Sequence, residues 1–250
     1  LRRSSAASDV YKRQIIHLAA QAGVRYSILN PKTYLDNNIM GTFNILEISK
    51  ETKLKHLMIA SSSSVYGSTT KYPLKENYNS DFPLSFYAAS KKSCEVIAHS
   101  YSNIHKIPIT MLRFFTVYGT YGRPDMALFK FTKSIFNKKK LDLYNNGKHL
   151  RDFTHIEDVC GIVVNLIDKI PNKKIPFDIF NLGGGKPKKL LYFLSLIEKN
   201  IGHKGKLNKI GMQKGDIYKT MSCTKKTNKK TGYKHKVKIE DGIKSFVKWY

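Results

Sequence analysis

Apolar runs and amphipathic segments alternate along most of this chain. Runs of the kind that form buried strands occupy three segments: 15–20, 56–61 and 109–115. Residues 21–25 between the first strand and the next helix predict a loop, and apolar residues recur at helical spacing in 30–53 and 85–105. Strands that are apolar on both faces and alternate with helices are typical of a parallel sheet covered on both sides. The pattern therefore predicts an α/β fold.

The second half of the chain has a more mixed pattern. Helical periodicity returns in 131–137, 156–170 and 190–202, and an apolar strand at 177–182 leads into the glycine run 183–187. That run, GGGKP, lacks the spacing and the Ser/Thr of a phosphate-binding P-loop, so we interpret it as a turn from strand to helix. The whole pattern predicts an incomplete doubly wound parallel sheet with a smaller mixed α/β domain.

The chain divides into a leader and two predicted domains. Residues 1–14 show no hydrophobic periodicity, and we expect them to form a leader outside the core. Residues 15–125 predict one domain, to which 152–200 partly return, and 126–250 predict the other. A doubly wound sheet normally opens with a G-x-G-x-x-G turn that cradles the phosphates of a dinucleotide. Because no such motif follows a strand here, we expect the first half of the sheet to be absent and dinucleotide binding to be impaired.

Composition narrows the function classes. The 250 residues carry a formal net charge of +26, but the lysines are dispersed, and their clusters at 137–140 and 225–230 have no interleaved aromatic residues. We therefore expect no nucleic-acid partner, and an apolar run long enough for membrane insertion is lacking as well. Three widely spaced cysteines (Cys94, Cys160, Cys223) predict reduced thiols in the cytoplasm, and no histidine spacing suggests a metal site.

One constellation suggests acid–base chemistry. Ser62 follows the second strand, and Tyr87 and Lys91 lie four positions apart, so that on a helix they share a face. A nearby ammonium favours the phenolate and lowers the pKa of a tyrosine, whose usual value is near 10. A serine hydroxyl can hydrogen-bond both the phenol and a substrate hydroxyl. These three residues fit proton transfer at a carbinol carbon, although a structural role for each of them stays open.

Longer motifs surround this constellation. They are HLAAQAGVRYS, ASSSSVYG, YAASKK, LRFFTVYG, GRPDMALFKF and RDFTHIEDV, and with them the match runs from Ile15 to Tyr250. The chain thereby resembles the NAD-dependent epimerase/dehydratase family of extended short-chain dehydrogenase/reductases, and within it the enzymes that act on UDP-glucuronate. The resemblance implies a Rossmann-type sheet, NAD as the cofactor and a UDP-sugar substrate.

The resemblance also implies a reaction and a role for each catalytic residue. Tyr87 would take the proton of the sugar 4-OH while hydride passes from C4 to NAD, and Ser62 would polarise the 4-oxygen. Lys91 would bind the nicotinamide ribose and tune Tyr87. The reaction would convert UDP-glucuronate to UDP-galacturonate through a 4-keto intermediate, for the synthesis of surface polysaccharide.

Further site residues follow from the resemblance alone. Those on the cofactor side, besides Tyr87 and Lys91, are Leu18, Ala19, Ala20, Gln21 and Asn38. Those for the substrate are Ser63, Ser64 and Thr116 for its carboxylate, Arg123 and Arg151 for the diphosphate, and Asp216 near the uridine ribose. A homodimer through the helices at 34–50 and 87–105 is implied as well.

Related activities differ at a few positions. Dehydratases of this family carry Asp-Glu where Ser63 and Ser64 stand, and decarboxylases carry a glutamate at the position of Ser64. Epimerases that act on UDP-glucose usually have asparagine at the position of Thr116. These differences favour UDP-glucuronate, while a UDP-glucose 4-epimerase and a non-catalytic fragment that binds nucleotide sugars stay open as alternatives.

Overall fold

The computed structural model describes residues 14–52 and 54–250. They divide into two compact units, which we describe separately. The first unit comprises the described parts of Leu1–Thr69 together with Glu76–Phe114 and Val164–Asn181. The second unit comprises Thr70–Lys75, Phe115–Val163 and Leu182–Tyr250.

The secondary structure alternates between strands and helices over the described residues. The strands are β1 (Gln14–His17), β2 (His56–Ser62), β3 (Ile109–Phe114), β4 (Thr116–Tyr118), β5 (Lys140–Tyr144), β6 (Leu150–Arg151), β7 (Phe153–His155), β8 (Phe177–Leu182), β9 (Lys188–Lys189) and β10 (Lys206–Ile210). The α-helices are α1 (Val24–Leu29), α2 (Pro31–Tyr34), α3 (Gly41–Glu51), α4 (Phe86–His105), α5 (Ala127–Phe136), α6 (Ile156–Ile167), α7 (Leu190–Ile201), α8 (Lys225–Thr231) and α9 (Ile239–Trp249). A π-helix (Leu35–Met40) joins α2 to α3, and a 3₁₀ helix (Ser63–Tyr66) follows β2.

The first unit is built on a sheet with the strand order β1-β2-β3-β8. The pairs β1–β2 and β2–β3 are parallel, and every residue of β2 is buried. The apolar faces of these strands pack with α3 and α4 into one core, whose buried members include Leu46, Leu57, Ile109 and Met111. This parallel sheet with helical cover confirms the predicted α/β fold class.

Helix α4 begins and ends at recognisable signals. The side chain of Ser85 accepts a hydrogen bond from the backbone N–H of Ala88 at 3.2 Å and so caps the first turn. Lys106 ends the helix in the left-handed conformation (φ 54°). The buried face of α4 follows helical spacing but carries small and polar side chains: Ala88, Ser90, Lys91, Cys94, Glu95, Ala98 and Ser102. Its inner surface is therefore a place where polar groups are held out of water.

The second unit is mixed α/β, as predicted. It contains parallel pairs of β5 with β10 and of β4 with β7, and an antiparallel pair of β6 with β9. Helices α5, α7 and α9 supply most of its core, where Phe131, Phe193 and Phe246 are buried. The glycine run after β8 connects that strand to β9 and α7, which agrees with the predicted turn from strand to helix.

Some boundaries differ from those that the sequence predicts. The predicted loop at 21–25 is wrong at its end, because α1 begins at Val24. The predicted leader lies outside the described residues except for Gln14, which is the first residue of β1. The predicted domains 15–125 and 126–250 stay a prediction; in the structure the first unit leaves off at Phe114 and resumes for Val164–Asn181. Among the described helices, none combines the length and the apolar character that crossing a bilayer requires.

Candidate active site

The predicted serine stands where β2 ends. Ser62 is buried and extended, and its Oγ accepts a hydrogen bond from the backbone N–H of Ser64 at 3.2 Å. This bond caps the 3₁₀ helix that begins at Ser63, so a structural role for Ser62 is present. A hydroxyl that accepts one bond still has its own hydrogen to donate. Capping therefore fixes where the hydroxyl lies and leaves it able to polarise an oxygen atom of a ligand.

The predicted tyrosine and lysine occupy one face of α4, one helical turn apart. Tyr87 is half-buried, and the edge of its ring meets the Tyr34 ring with the centroids 6.0 Å apart. Lys91 is 5% exposed, and its Nζ donates to the carbonyl oxygen of Ala60 in β2 at 2.8 Å. The ammonium is thus anchored to the sheet two residues before the predicted catalytic serine.

Burial affects the ionisation of Lys91. Removal of the ammonium from water lowers the pKa of Lys91, and the nearby thiol of Cys94 partly opposes this effect. A buried cation whose main neighbour is a carbonyl dipole favours an anion placed close to it. The predicted assistance of the Tyr87 phenolate by Lys91 rests on this physical argument and stays a prediction.

The loop after β1 is held by one asparagine. Residues 18–20 are exposed, whereas Asn38 of the π-helix is 1% exposed and bonds to the backbone of Gln21 at both ends. The Gln21 N–H donates to Asn38 Oδ1 at 2.8 Å, and Asn38 Nδ2 donates to the Gln21 carbonyl at 3.0 Å. Asn38 Nδ2 also donates to Ser90 Oγ at 2.9 Å, and Ser90 Oγ donates to the Tyr87 carbonyl at 2.8 Å. One polar chain therefore ties the predicted cofactor loop to the first turn of α4.

A buried ion pair on α4 is a feature that the sequence analysis missed. Glu95 accepts hydrogen bonds from Arg113 Nε at 2.8 Å and Nη2 at 2.7 Å, and from Ser61 Oγ at 2.6 Å. Both side chains of the pair are almost wholly buried. Glu95 continues the spacing of four positions that relates Tyr87 to Lys91, so the sequence contained a signal for it. The pair anchors α4 to β2 and β3 behind the predicted catalytic residues.

In the second unit, two predicted substrate residues adjoin a common backbone position. Thr116 is the first residue of β4, and its N–H donates to the carbonyl oxygen of Asp152 at 3.2 Å. Arg151, the residue before Asp152, is half-buried, and its Nη1 donates to the carbonyl oxygen of Tyr218 at 3.1 Å. Tyr218 lies two residues after Asp216, so the structure brings Arg151 to the segment that carries the predicted uridine residue.

The other two predicted substrate residues of the second unit, Asp216 and Arg123, have polar neighbours of their own. Asp216 Oδ2 lies 3.9 Å from Nε2 of the buried His149, a contact that becomes an ion pair only when the imidazole is protonated. Arg123 lies in the loop before α5 and forms an exposed, bidentate ion pair with Asp125, in which Nε is 3.0 Å from Oδ1. Asp125 therefore engages the edge of the guanidinium that Nε and Nη2 form, and the predicted role of Arg123 at a diphosphate stays a prediction.

The donor set suits the cofactor that the resemblance implies. An ammonium has three N–H donors, and the bond to Ala60 accounts for one donor of Lys91. The carboxyl ends of parallel strands in an open α/β sheet are where such folds bind nucleotides, and Lys91, Ser62 and the loop 18–21 lie at those ends. Over residues 14–52 and 54–250, no three His, Cys, Asp or Glu side chains are grouped to hold a metal ion.

A parallel sheet of this kind, with a predicted Ser/Tyr/Lys set at its carboxyl end, is typical of Rossmann-type enzymes of the short-chain dehydrogenase class. The chain belongs to the NAD dependent epimerase/dehydratase family, whose model matches residues 2–183. This match confirms the predicted family, and with it NAD as the cofactor.

Individual relatives agree with the family match. A protein from Rhizobium meliloti (strain 1021) named probable UDP-glucuronate 4-epimerase is 45% identical over 251 residues, which span 94% of this chain and 74% of the relative. The UDP-glucuronate 4-epimerase of Thermodesulfobacterium geofontis (strain OPF15) is 39% identical over 94% of this chain and 71% of its own length. A crystal structure of UDP-glucuronic acid 4-epimerase from Bacillus cereus, in complex with UDP-glucuronic acid and NAD, superposes with a TM-score of 0.90. It is 32% identical, and the match covers 98% of this chain and 78% of that one.

Proposed function

We propose that this protein interconverts UDP-glucuronate and UDP-galacturonate by oxidation and reduction at C4 of the sugar. The observation that carries the proposal is the placement of Tyr87 and Lys91 on one face of α4, with the Lys91 ammonium anchored on Ala60 beside Ser62. The relatives and the solved structure with UDP-glucuronic acid and NAD support the same reaction.

Each residue of the set has a chemical task in this proposal. Tyr87 holds and moves the proton of the sugar 4-OH, and Ser62 donates a hydrogen bond to the same oxygen. The buried ammonium of Lys91 stabilises the phenolate of Tyr87 and donates to ribose hydroxyls of the cofactor. Bound NAD would supply the hydride acceptor, and then the hydride donor, for the change at C4. The resulting 4-keto uronic acid is a β-keto acid, which loses CO₂ readily, so its carboxylate must be held firmly.

Neutral donors are proposed to hold that carboxylate. Ser63 and Ser64 form the start of the 3₁₀ helix after β2, and Thr116 begins β4. A hydroxyl binds a carboxylate without offering the negative charge that an Asp or a Glu would bring to the same place. For the nucleotide, we propose that Arg151 and Arg123 contact the diphosphate, where a guanidinium can bind two oxygens at once. Asp216 would accept from the uridine ribose.

The replacement Tyr87→Phe tests the catalytic assignment. It removes only the hydroxyl, and we expect kcat to fall by roughly 10²- to 10⁴-fold, the usual contribution of a positioned acid–base group. The measurement is conversion of UDP-glucuronate to UDP-galacturonate with NAD supplied, and the binding of UDP should not change. Tyr192→Phe is the matched control, because the hydroxyl of this exposed tyrosine donates to Glu240 in the second unit. Retention of the wild-type kcat in Tyr87→Phe would contradict the assignment.

The same assay separates the alternatives. If the chain is a non-catalytic fragment, it binds UDP-glucuronate without forming UDP-galacturonate. If it is a UDP-glucose 4-epimerase, UDP-glucose has the higher kcat/KM when both substrates are offered. Preference for UDP-glucuronate with turnover supports the proposal over both.

The two helices that were predicted to pair across a dimer carry exposed apolar side chains. On the π-helix, α3 and α4 these are Leu35, Met40, Phe43, Ile48, Val96 and Ile104. We propose that a second copy of the chain covers them, because contiguous apolar patches are unusual on monomers and often mark protein–protein contacts. Ile48→Glu combined with Val96→Glu should give a monomer in sedimentation equilibrium. Val164→Glu on α6, at a position exposed to a similar degree, should leave the molecular mass of the assembly unchanged. Equal masses for the wild type, the double variant and Val164→Glu would contradict a dimer through these helices.

The cellular context stays a prediction. Cys94, Cys160 and Cys223 are free thiols, as the predicted cytoplasmic location requires. The role in surface polysaccharide synthesis follows from the proposed product, which is an activated uronic acid.

A further inference from the structure

Asp152 is a buried carboxylate at the junction of β6 and β7. Its side chain is inaccessible to solvent, and its oxygens accept hydrogen bonds from neutral groups. The N–H groups of Gly184 and Gly185 donate to Oδ1 at 2.9 and 3.1 Å, and Gly185 also donates to Oδ2 at 3.0 Å. Ser222 donates to Oδ2 from its N–H at 2.7 Å and from its hydroxyl at 2.6 Å. Hydrogen bonds of this kind to a charged acceptor are about twice as strong as those between neutral groups.

These bonds fold the glycine run against the segment around Ser222. Gly185 adopts φ +70°, and its N–H also donates to Ser222 Oγ at 3.0 Å. A Cβ at Gly183 would lie 2.5 Å from Ser222 Oγ and 2.9 Å from the Phe115 ring, so only glycine allows this approach. The carboxylate of Asp152 therefore replaces the acceptors that the backbone of this glycine turn lacks.

The backbone of Asp152 is tied to the predicted substrate residues. Its carbonyl oxygen accepts from the N–H of Thr116 at 3.2 Å, and its N–H donates to Thr220 Oγ1 at 3.1 Å. Arg151 precedes it directly and reaches the carbonyl of Tyr218 with its guanidinium. One residue thus connects Thr116, Arg151 and the segment that continues from Asp216.

We propose that Asp152 is a positioning residue, which fixes Arg151 and Thr116 for the UDP-sugar by holding the glycine run and the Ser222 segment in place. The proposal rests on the proposed function, since it concerns the same substrate. A carboxylate is required because it only accepts hydrogen bonds, whereas the amide of an asparagine would turn N–H donors toward the N–H groups of Gly185 or Ser222. Asp152→Asn should weaken the attachment of the glycine run and that of the Ser222 segment, and it should displace the guanidinium of Arg151.

Asp158 offers a matched control within the same unit. It is also buried, and it accepts from Tyr233 OH at 3.1 Å and from the N–H groups of Lys236 and Val237 at 2.8 and 3.3 Å. Its bonds hold the 233–237 segment, which carries none of the predicted substrate residues. Asp158→Asn therefore repeats the same chemical change at a similar depth without touching the attachments of Arg151.

The experiment is calorimetric titration of the full chain with UDP. We expect Asp152→Asn to weaken UDP binding by about tenfold or more. The free variant can relax to pair its buried donors elsewhere, and UDP binding must then restore the arrangement in which they are unpaired, at a cost of about 1–3 kcal/mol. Asp158→Asn should bind within about twofold of the wild type. In turnover, Asp152→Asn should raise KM for UDP-glucuronate by more than it lowers kcat, as expected when ground-state binding is lost. Equal affinities of the wild type and Asp152→Asn would overturn the positioning role, as would equal losses in the two variants.

Ser222→Ala keeps the proposal testable if Asp152→Asn does not fold. This change removes one hydroxyl donor from the carboxylate and leaves the backbone donors in place, so UDP binding should weaken about threefold. Unchanged UDP affinity in Ser222→Ala would contradict the proposal. A wild-type chain that does not bind UDP would overturn the proposed function itself, an outcome distinct from equal binding by the wild type and the variants.

Discussion

Each unit contains a buried carboxylate close to predicted site residues, Glu95 in the first and Asp152 in the second, and the two are stabilised in different ways. Glu95 in the first unit is held by the guanidinium of Arg113 and by a serine hydroxyl. Asp152 in the second unit is held by backbone N–H groups and by the hydroxyl of Ser222. Burial disfavours the charged form of Arg113, but the hydrogen bonds and the charge of Glu95 raise its pKa above the usual value. The comparison shows that a buried carboxylate can be stabilised by one ion of opposite charge or by several oriented hydrogen-bond donors.

The two arrangements should respond differently to the loss of charge. Where an ion pair is broken, the remaining ion stays buried without its counter-charge, and the folded state is penalised heavily. Where neutral donors lose an anion, the penalty is that of unpaired polar groups, which is smaller than that of an unpaired ion. The first arrangement should therefore matter more for stability, and the second more for the shape of the loops that it organises.

Glu95→Gln should have the largest effect on stability. The amide cannot neutralise Arg113, and breaking a buried pair from one side costs about 3–5 kcal/mol. Urea unfolding followed by circular dichroism measures the change in the free energy of unfolding. Glu95→Leu combined with Arg113→Met should recover part of the loss, because no ion is then left buried. A loss below about 1 kcal/mol in Glu95→Gln would contradict the role assigned to the pair.

Asp152→Asn should destabilise the fold less than Glu95→Gln does. We expect a loss of about 1–3 kcal/mol in the free energy of unfolding, which is the cost of leaving buried donors without a partner. The same unfolding experiment, with Asp158→Asn beside it, gives the comparison directly. If Asp152→Asn proves the more damaging of the two charge losses, oriented dipoles stabilise a buried charge better here than the guanidinium does.

Two histidines allow a finer test of the charges in each unit. Burial lowers the pKa of His17 below 6.5, and the ammonium of Lys91 lowers it further. Burial also lowers the pKa of His155, but there Glu157 and Asp158 act in the opposite direction. NMR titration of the two imidazoles should show that Lys91→Met raises the pKa of His17 and that Asp158→Asn lowers that of His155.

The same shifts have a small effect on stability. Because both pKa values lie below 6.5 in the folded state, the unfolded chain binds more protons between the folded values and 6.5. The free energy of unfolding should therefore rise as the pH increases through that window. In the NMR titrations, pKa shifts of the same sign for His17 in Lys91→Met and for His155 in Asp158→Asn would contradict the assigned charges.

Local patterns were enough to predict much of the fold and part of the site. The apolar runs gave β2 and β3, and the spacing of Tyr87 and Lys91 placed both on one face of α4. The loop predicted at 21–25 was wrong at its end, because α1 is a short helix without a side-chain cap or a repeating apolar face. Such a helix depends on contacts that the local sequence does not encode.

The two buried carboxylates could not be recognised from local sequence in the same way. Glu95 continues a visible spacing, but its partner Arg113 lies on a strand 18 positions away. The donors of Asp152 lie 32 positions away at Gly184 and 70 positions away at Ser222. A pattern along the chain shows which residues are polar, whereas only the folded backbone shows which N–H groups come to meet them.

The two hydrogen bonds between Asn38 and the backbone of Gln21 have a consequence for the loop after β1. An asparagine that accepts from the N–H of one residue and donates to the carbonyl of the same residue imitates a neighbouring strand at a point where the sheet has ended. The course of the chain there is set by a side chain on a distant helix rather than by the residues of the loop. We therefore expect substitutions at Leu18, Ala19 and Ala20 to leave the position of the Gln21 backbone unchanged.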